Sequence, residues 1–450
     1  MAFVFATGCQ KKIEKPMSAT DNQLKLMTLD PGHFHAALVY KTMYQQLDSI
    51  VYVYAPEGPE FEAYKTKIKA YNERVKAPTN WNLQTYLGPD YLEKMVAEKK
   101  GDIMVVSGKN SKKIDYVLAA VKAGFHVYAD KPLVIDEAGF VKLKEAFRIA
   151  QENEVMIYDI MTERFEINTI LQKELSGIPE LFGTLMTGTV ENPAISKESV
   201  HHFSKQVSGK PLVRPPWFFD VTEEGDGIVD VTTHLVDLIM WEAFPNQIIK
   251  NTEVEMLNAS RWPTVLSPSE FKQVTQLDQY PAYLNKDVQD SLLHVYCNGE
   301  MNYTLRGIHA KVSVKWDFKA PEGTGDTHYS MMRGTKAELL IKQGTEEAFK
   351  PTLYIRVTEG THSKEELLGL INKQVGDQYK GLEVEEIKPG EWRLIIPEQY
   401  KIGHEAHFAQ VTENFLKYLE QGALPDWEIL NMLTKYHTTT KAYNLAKASN

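Results

Sequence analysis

From Gln23 onward, short apolar runs alternate with amphipathic stretches of helical period, the pattern of strand-helix-strand units built on a parallel sheet. Leu24 to Thr28 predicts a first strand, His33 to Leu47 a helix, and Ser49 to Tyr54 a second strand. That strand stops at Ala55-Pro56-Glu57-Gly58, where proline and glycine force a turn. The alternation continues with a helix over Tyr91 to Lys99, a strand over Asp102 to Ser107 and a helix over Lys113 to Ala123. A strand over Gly124 to Tyr128, a helix over Ala138 to Asn153 and a sixth strand over Val155 to Tyr158 complete it. Strands linked this way predict a doubly wound nucleotide-binding domain over residues 23–160.

Beyond residue 160 the pattern changes to strands with few helices between them. They are Leu181 to Val190, Ile248 to Leu257, Ser291 to Cys297, Met301 to Gly307, Lys311 to Phe318, His328 to Met332 and Ala337 to Ile341. Helices are expected at Ile167 to Leu175 and Ile228 to Trp241, with a closing pair at His404 to Leu419 and Asp426 to Lys447. The predicted fold class is therefore α/β: an N-terminal Rossmann domain, then an α+β domain over residues 161–450 with a large, mostly antiparallel open sheet.

Length and charge narrow the function. A chain of 450 residues exceeds one typical core, which agrees with two domains. The formal net charge of -10 and the lack of a dense Lys/Arg block argue against nucleic acid and for a small-molecule ligand. No segment approaches the roughly 20 apolar residues that span a bilayer.

Two cysteines, Cys9 and Cys297, exclude a disulfide framework and a cysteine-rich metal site. The first residues, Met1-Ala-Phe-Val-Phe-Ala-Thr-Gly-Cys9, resemble the end of a bacterial lipoprotein signal, with a short apolar run, small residues and then the lipidated cysteine. On that reading residues 1–22 are a truncated signal and tether, Cys9 carries a lipid, and the protein is periplasmic or attached to the envelope. A cytoplasmic protein with an accidental Gly-Cys is the alternative.

Several motifs occur in a fixed order. Ser107-Gly-Lys-Asn110 follows the strand at 102–107, Ala123-Gly-Phe-His-Val-Tyr-Ala-Asp-Lys-Pro132 spans the fifth strand, and Arg164-Phe165 opens the second domain. Gly225-Asp-Gly-Ile-Val-Asp-Val-Thr-Thr-His-Leu-Val-Asp237 follows. In this combination the chain resembles the glucose-fructose oxidoreductase / inositol dehydrogenase (Gfo/Idh/MocA) family over roughly residues 23 to 245. The resemblance implies a nicotinamide cofactor and puts Lys131, Asp230 and His234 on the family's catalytic positions. It implies cofactor contacts at Ser107, Asn110, Asp130, Lys131 and Pro132, a match at Arg164 on the substrate side, and a homo-oligomer. Lys113 replaces the histidine that often follows the asparagine loop.

One motif departs from its pattern. A Gly-x-Gly-x-x-Gly turn brings the backbone close to a pyrophosphate at a helix N-terminus. Here the segment is Asp30-Pro31-Gly32-His33-Phe34-His35, in which Gly32 alone matches clearly, and Gly32, His33 and Phe34 are the candidate cofactor contacts of this turn. Glu57, two residues past the second strand, is the acidic candidate for the ribose hydroxyls, and the absence of an adjacent arginine favours NAD over NADP.

Oxidising a secondary alcohol requires the hydroxyl proton to leave as hydride departs, and an imidazole with a pKa near 6.5 suits that task. Asp230 and His234, four residues apart, would share one face of a helix, with His234 as base and Asp230 as its electrostatic partner or a hydrogen-bond acceptor for the substrate. Lys131 would stabilise the developing alkoxide. Trp217 is a candidate for stacking on a sugar, and His202, in the predicted polar loop at His201-His202, for bordering the substrate cleft. Gly403-His-Glu-Ala-His407 is not a His-Glu-x-x-His motif and lacks a third ligand, so no metal is assigned. The leading expectation is hydride transfer on a carbohydrate hydroxyl or ketone with tightly bound NAD. A redox-neutral NAD-dependent glycosidase and a cofactor-free sugar-binding lipoprotein are the alternatives.

Overall fold

The computed structural model describes residues 23–207 and 210–449, so the expected signal and Cys9 lie outside the described residues. Six strands, β1 (Leu24–Leu29), β2 (Leu47–Ala55), β3 (Asn82–Leu87), β4 (Ile103–Val106), β5 (His126–Asp130) and β6 (Ile157–Ile160), form the first sheet. All neighbours are parallel and the spatial order is β3-β2-β1-β4-β5-β6. β1, β4, β5 and β6 are buried along most of their length, as a sheet covered by helices on both faces requires, whereas the edge strand β3 has no buried residue. Those helices are α1 (His35–Leu38), α2 (Pro59–Glu73), α3 (Tyr91–Glu98), α4 (Asn110–Ala123) and α5 (Glu137–Glu152). The order reverses between β1 and β4, and the ligand crevice of such a sheet opens there, at the carboxyl ends of the strands.

The helix expected over His33 to Leu47 shrinks to α1 and a single 3-10 turn at Val39–Lys41. Its continuation is lost because other groups take its carbonyls: Trp81 Nε1 donates to Tyr40 O at 2.7 Å and Arg74 Nη2 to Lys41 O at 2.5 Å. The helix α2 and strand β3 had no counterpart in the sequence pattern.

The second sheet contains β7 (Ile195–Ser204), β10 (Val254–Leu266), β11 (Val288–Gln289), β12 (Leu292–Leu305), β13 (Ile308–Lys319), β14 (Thr327–Arg333), β15 (Ala337–Lys342), β16 (Thr352–Val357), β17 (Glu383–Lys388) and β18 (Glu391–Ile395). A hairpin of β8 (Gln206–Val207) and β9 (Lys210–Pro211) stands apart. The large sheet runs β10-β12-β13-β7-β14-β15-β16-β18-β17, and its one parallel pair is β13 with β7. Helices α6 (Ile167–Ser176), α7 (Thr232–Ala243) and α9 (Lys364–Val375) contribute to the core packed on this sheet, and α8 (Pro268–Thr275) packs in a separate cluster with Phe203, Leu266 and Trp316.

Three strand expectations are corrected. Leu181 to Val190 is irregular, because Gly183 (φ 74°) and Gly188 (φ 70°) adopt left-handed conformations that a strand cannot hold. The two strands expected around Asn298-Gly299 are one, β12; a Cβ at Gly299 would lie 2.7 Å from Ile228 Cβ, so this glycine admits a close approach instead of making a turn. His201 and His202 lie on β7, not in a loop.

The closing helices α10 (His404–Gln421) and α11 (Glu428–Ala448) return to the first domain. Phe408, Val411 and Phe415 of α10 enter its core, where Phe415 stacks on Tyr128 and Tyr158 at centroid distances of 4.9 and 5.6 Å. α11 places Met432 and Tyr436 in the nucleotide-binding domain and Ala442 and Ala446 in the second core. These contacts fix the relation of the two domains, and thereby the cleft between them. Among the described residues no helix is long and apolar enough to cross a membrane.

Candidate active site

A cavity of about 450 Å³ opens where the carboxyl end of the parallel sheet meets the second domain. The turn after β5 supplies Lys131, and the turn before α7 supplies Asp230. Lys131 Nζ donates to Asp230 Oδ1 at 2.6 Å, and both side chains are about nine-tenths buried. Burial opposes the Lys131 charge, but the Asp230 and Asp130 carboxylates outweigh it and raise the ammonium pKa.

His234, in the first turn of α7, faces the same cavity. Helix α7 begins at Thr232, so Asp230 is outside it and pairs with Lys131; the expectation that Asp230 is the partner of His234 is corrected. His234 Nδ1 is buried with no hydrogen-bond partner among the described residues. Burial, and next the Lys131 charge, push its pKa down to about 3, so the imidazole is neutral.

The two domains are stitched together beside this pair. Asn110 Nδ2 donates to Glu224 O at 2.6 Å, and Ser111 N donates to Glu223 O at 2.9 Å. Lys113 is fully buried and donates to Asn110 Oδ1, Asp130 O and Pro132 O at 2.6, 2.8 and 3.0 Å. It thereby fixes the turn that carries Lys131. Desolvation pushes the Lys113 pKa down to about 8. Ser107 Oγ and His35 Nδ1 both reach Asp130 Oδ2, at 2.9 and 3.0 Å. Glu224, which the sequence reading missed, lines the cavity, and burial raises its carboxyl pKa well above the ordinary range.

Three substrate-side expectations are also corrected. Arg164 does not line the cavity: it makes two hydrogen bonds to Asp237, at 2.7 and 2.6 Å, and one to Glu428 at 3.0 Å. Lys435 joins that buried network through Asp237 and Asp159. His202 turns to Asp326 at 2.9 Å and is buried, while its neighbour His201 faces the cavity and stacks on Trp316 at 4.9 Å. His201 Nδ1 also comes within 3.6 Å of Asp326 Oδ2, so both histidines meet one carboxylate, which a loop assignment could not reveal. Trp217 lies over the Gly32 turn, where a Cβ on that glycine would be 3.5 Å from Trp217 Cζ2. His404, Glu163 and His328 also line the cavity, with His404 Nδ1 3.2 Å from Glu163 Oε1. The spacing at Gly403-His-Glu-Ala-His407 signalled two clustered histidines, of which the other, His407, is buried and does not line the cavity.

A dinucleotide fits what lies beside the cavity. A second pocket, of about 120 Å³, continues along the turns at 30–32 and 107–110 and is lined by Asp30, Gly32, Glu57, Lys109, Lys112 and Trp217. Gly32 presents bare backbone, Glu57 an acceptor for ribose hydroxyls, and Trp217 Nε1 is a buried donor without a partner among the described residues. Asp30 occupies a glycine position at φ 44°, with its Oδ2 accepting from Tyr116 at 2.8 Å and its carbonyl from Gly32 N at 2.7 Å.

This arrangement defines a nicotinamide-dependent oxidoreductase. Residues 31–159 match the family model "Oxidoreductase family, NAD-binding Rossmann fold" (GFO_IDH_MocA), and residues 171–447 match "Putative oxidoreductase C terminal domain". The chain therefore belongs to the Gfo/Idh/MocA oxidoreductases and is an NAD(P)-dependent enzyme. A crystal structure of a "putative oxidoreductase" from Parabacteroides merdae ATCC 43184 is 50% identical, with a TM-score of 0.94, covering 97% of this chain and 100% of that one. Levoglucosan dehydrogenase in complex with NADH shares the fold at 11% identity and a TM-score of 0.61, covering 95% of this chain and 98% of its own. KijD10, a 3-ketoreductase from Actinomadura kijaniata crystallised with NADP, does so at 11% and 0.57, covering 94% and 98%. A search of curated proteins gives no match.

Proposed function

We propose that the protein interconverts a carbohydrate hydroxyl and the corresponding ketone, with NAD as the hydride partner. The observation that carries this reading is the convergence of Lys131, Asp230 and His234 on one cavity at the carboxyl end of the Rossmann sheet. Bound NAD supplies hydride acceptance. The chain's own groups do the rest: the Lys131 ammonium donates to the reacting oxygen, and the neutral His234 imidazole accepts the hydroxyl hydrogen. Asp230 holds Lys131 charged and aimed, and Lys113 fixes its turn from behind. Glu57 at the ribose end disfavours a 2′-phosphate, which supports NAD over NADP.

A sugar substrate is supported by the polar wall of the cavity, with His201, Asp326, His328 and Gln343, and by the structural neighbour solved with NADH and levoglucosan. Redox-neutral cleavage of a glycoside is a second reading. The His404–Glu163 pair in the same cavity favours it, being an additional proton-handling group that net oxidation does not require. Incubation with NAD and a panel of glycosides, following NADH and sugar products together, tests both. NADH with a ketosugar supports the first, a released aglycone without net NADH the second, and no change in any sugar overturns both. Anchoring in the cell envelope through Cys9 is part of the proposal, and release of a Cys9→Ser variant from membranes would support it.

A further inference from the structure

We propose that His33, His35 and Asp130 form a binding site for one divalent transition-metal ion of the zinc class, on the wall of the main cavity. Each of the three residues offers a ligand atom, and these atoms lie within 4.8 Å of one another. Asp130 Oδ2 is 3.0 Å from His35 Nδ1 and 3.7 Å from His33 Nδ1. Tetrahedral zinc with bonds of about 2.0–2.1 Å separates its ligands by roughly 3.3 Å, a value these two distances bracket. The third edge, between the two imidazoles, is at most 4.8 Å, so seating the ion draws the two rings together, and the ion would replace the His35 backbone N–H that donates to His33 Nδ1 at 3.3 Å.

Type and accessibility agree with the geometry. Two imidazoles and one carboxylate are a ligand set for zinc or ferrous iron, whereas magnesium and calcium favour oxygen alone. All three residues line the cavity, and their side chains are 17, 14 and 7% exposed, so an ion could enter and keep an open position for a substrate oxygen. Outer contacts are in place: Ser107 Oγ holds the Asp130 carboxylate at 2.9 Å, and Lys113 holds its backbone oxygen at 2.8 Å.

Two ammonium groups oppose a cation here, but each is engaged elsewhere, Lys131 by Asp230 and Lys113 by Asn110 and two carbonyls. Their field weakens the affinity and leaves the ligand geometry intact. The site does not depend on the hydride-transfer reading, because its readout is metal content and spectrum, not turnover.

The test is titration of chelator-treated full-length protein with cobalt(II), followed by visible d–d absorption, with the ligand count taken from zinc X-ray absorption of the wild-type protein. One equivalent bound, about two imidazoles in the zinc shell, and at least a roughly tenfold loss of affinity in His33→Gln and His35→Gln are expected. His362→Gln, outside the cluster, should bind as wild type. Absence of stoichiometric binding, a zinc shell without imidazole, or full affinity in both cluster variants would overturn the proposal. The wild-type absorption spectrum decides the matter even where a variant does not fold.

Discussion

Lys131 and Asp230 are 99 residues apart in the chain and 2.6 Å apart in the structure, and each comes from a different domain. Their ion pair crosses the cleft at the point where the hydride-accepting ring is proposed to lie, so the main influence keeping the active lysine charged comes from the other domain.

Removing either side should therefore have separable effects. Lys131→Ala is expected to lower turnover at least about a hundredfold with the fold intact. Asp230→Asn removes the main influence raising the Lys131 pKa against burial, so the alkaline loss of activity should move to lower pH. pH-rate profiles of wild type and Asp230→Asn check this; coincident alkaline limbs would show that Asp230 does not control the lysine.

His234 should leave a mark on stability as well as on rate. Its pKa near 3 in the folded state is below the unfolded value near 6.5, so the unfolded chain takes up the proton first. The stability this histidine contributes is full above about pH 6.5 and is lost as pH falls towards 3. His234→Asn should flatten that acid-side decline, measured by denaturant unfolding between these limits, and lower turnover by about a hundredfold or more. An unchanged stability profile would contradict the buried neutral assignment.

Arg164 should behave as a structural residue. Arg164→Met leaves Asp237 and Glu428 buried without their shared guanidinium, a loss of about 3–5 kcal/mol. Thermal unfolding should show a large fall in Tm, while KM of the remaining folded enzyme stays near wild type. A raised KM with unchanged Tm would restore Arg164 to the substrate site.

Glu57 should govern the choice of nucleotide. Glu57→Ala is expected to weaken NADH binding and to relax discrimination against NADPH, since Lys109 and Lys112 line the same pocket and would meet a 2′-phosphate. Fluorescence titration with both nucleotides measures the ratio, and an unaltered ratio would place the adenosine ribose elsewhere.

The local pattern of apolar residues determined the parallel sheet and most of its strands, because a strand buried on both faces must be apolar along its length and β4 is Ile103-Met-Val-Val106. Lys131, Asp230 and His234 were legible because each lies in a motif, and the structure brings all three to one cavity. What the sequence could not settle is which side chains share a space. Arg164 and His202 have the chemistry of ligand-binding residues, but pairing with Asp237, Glu428 and Asp326 consumes it. Glu224, His404 and Glu163 reach the cavity from three separated segments, and α10 and α11 join the core of a domain that ends hundreds of residues earlier. Periodicity records which face of an element is buried; only the tertiary structure decides what it is buried against. Desolvation and charge pairing, the terms that set the states of Lys131, Lys113 and His234, depend on those neighbours.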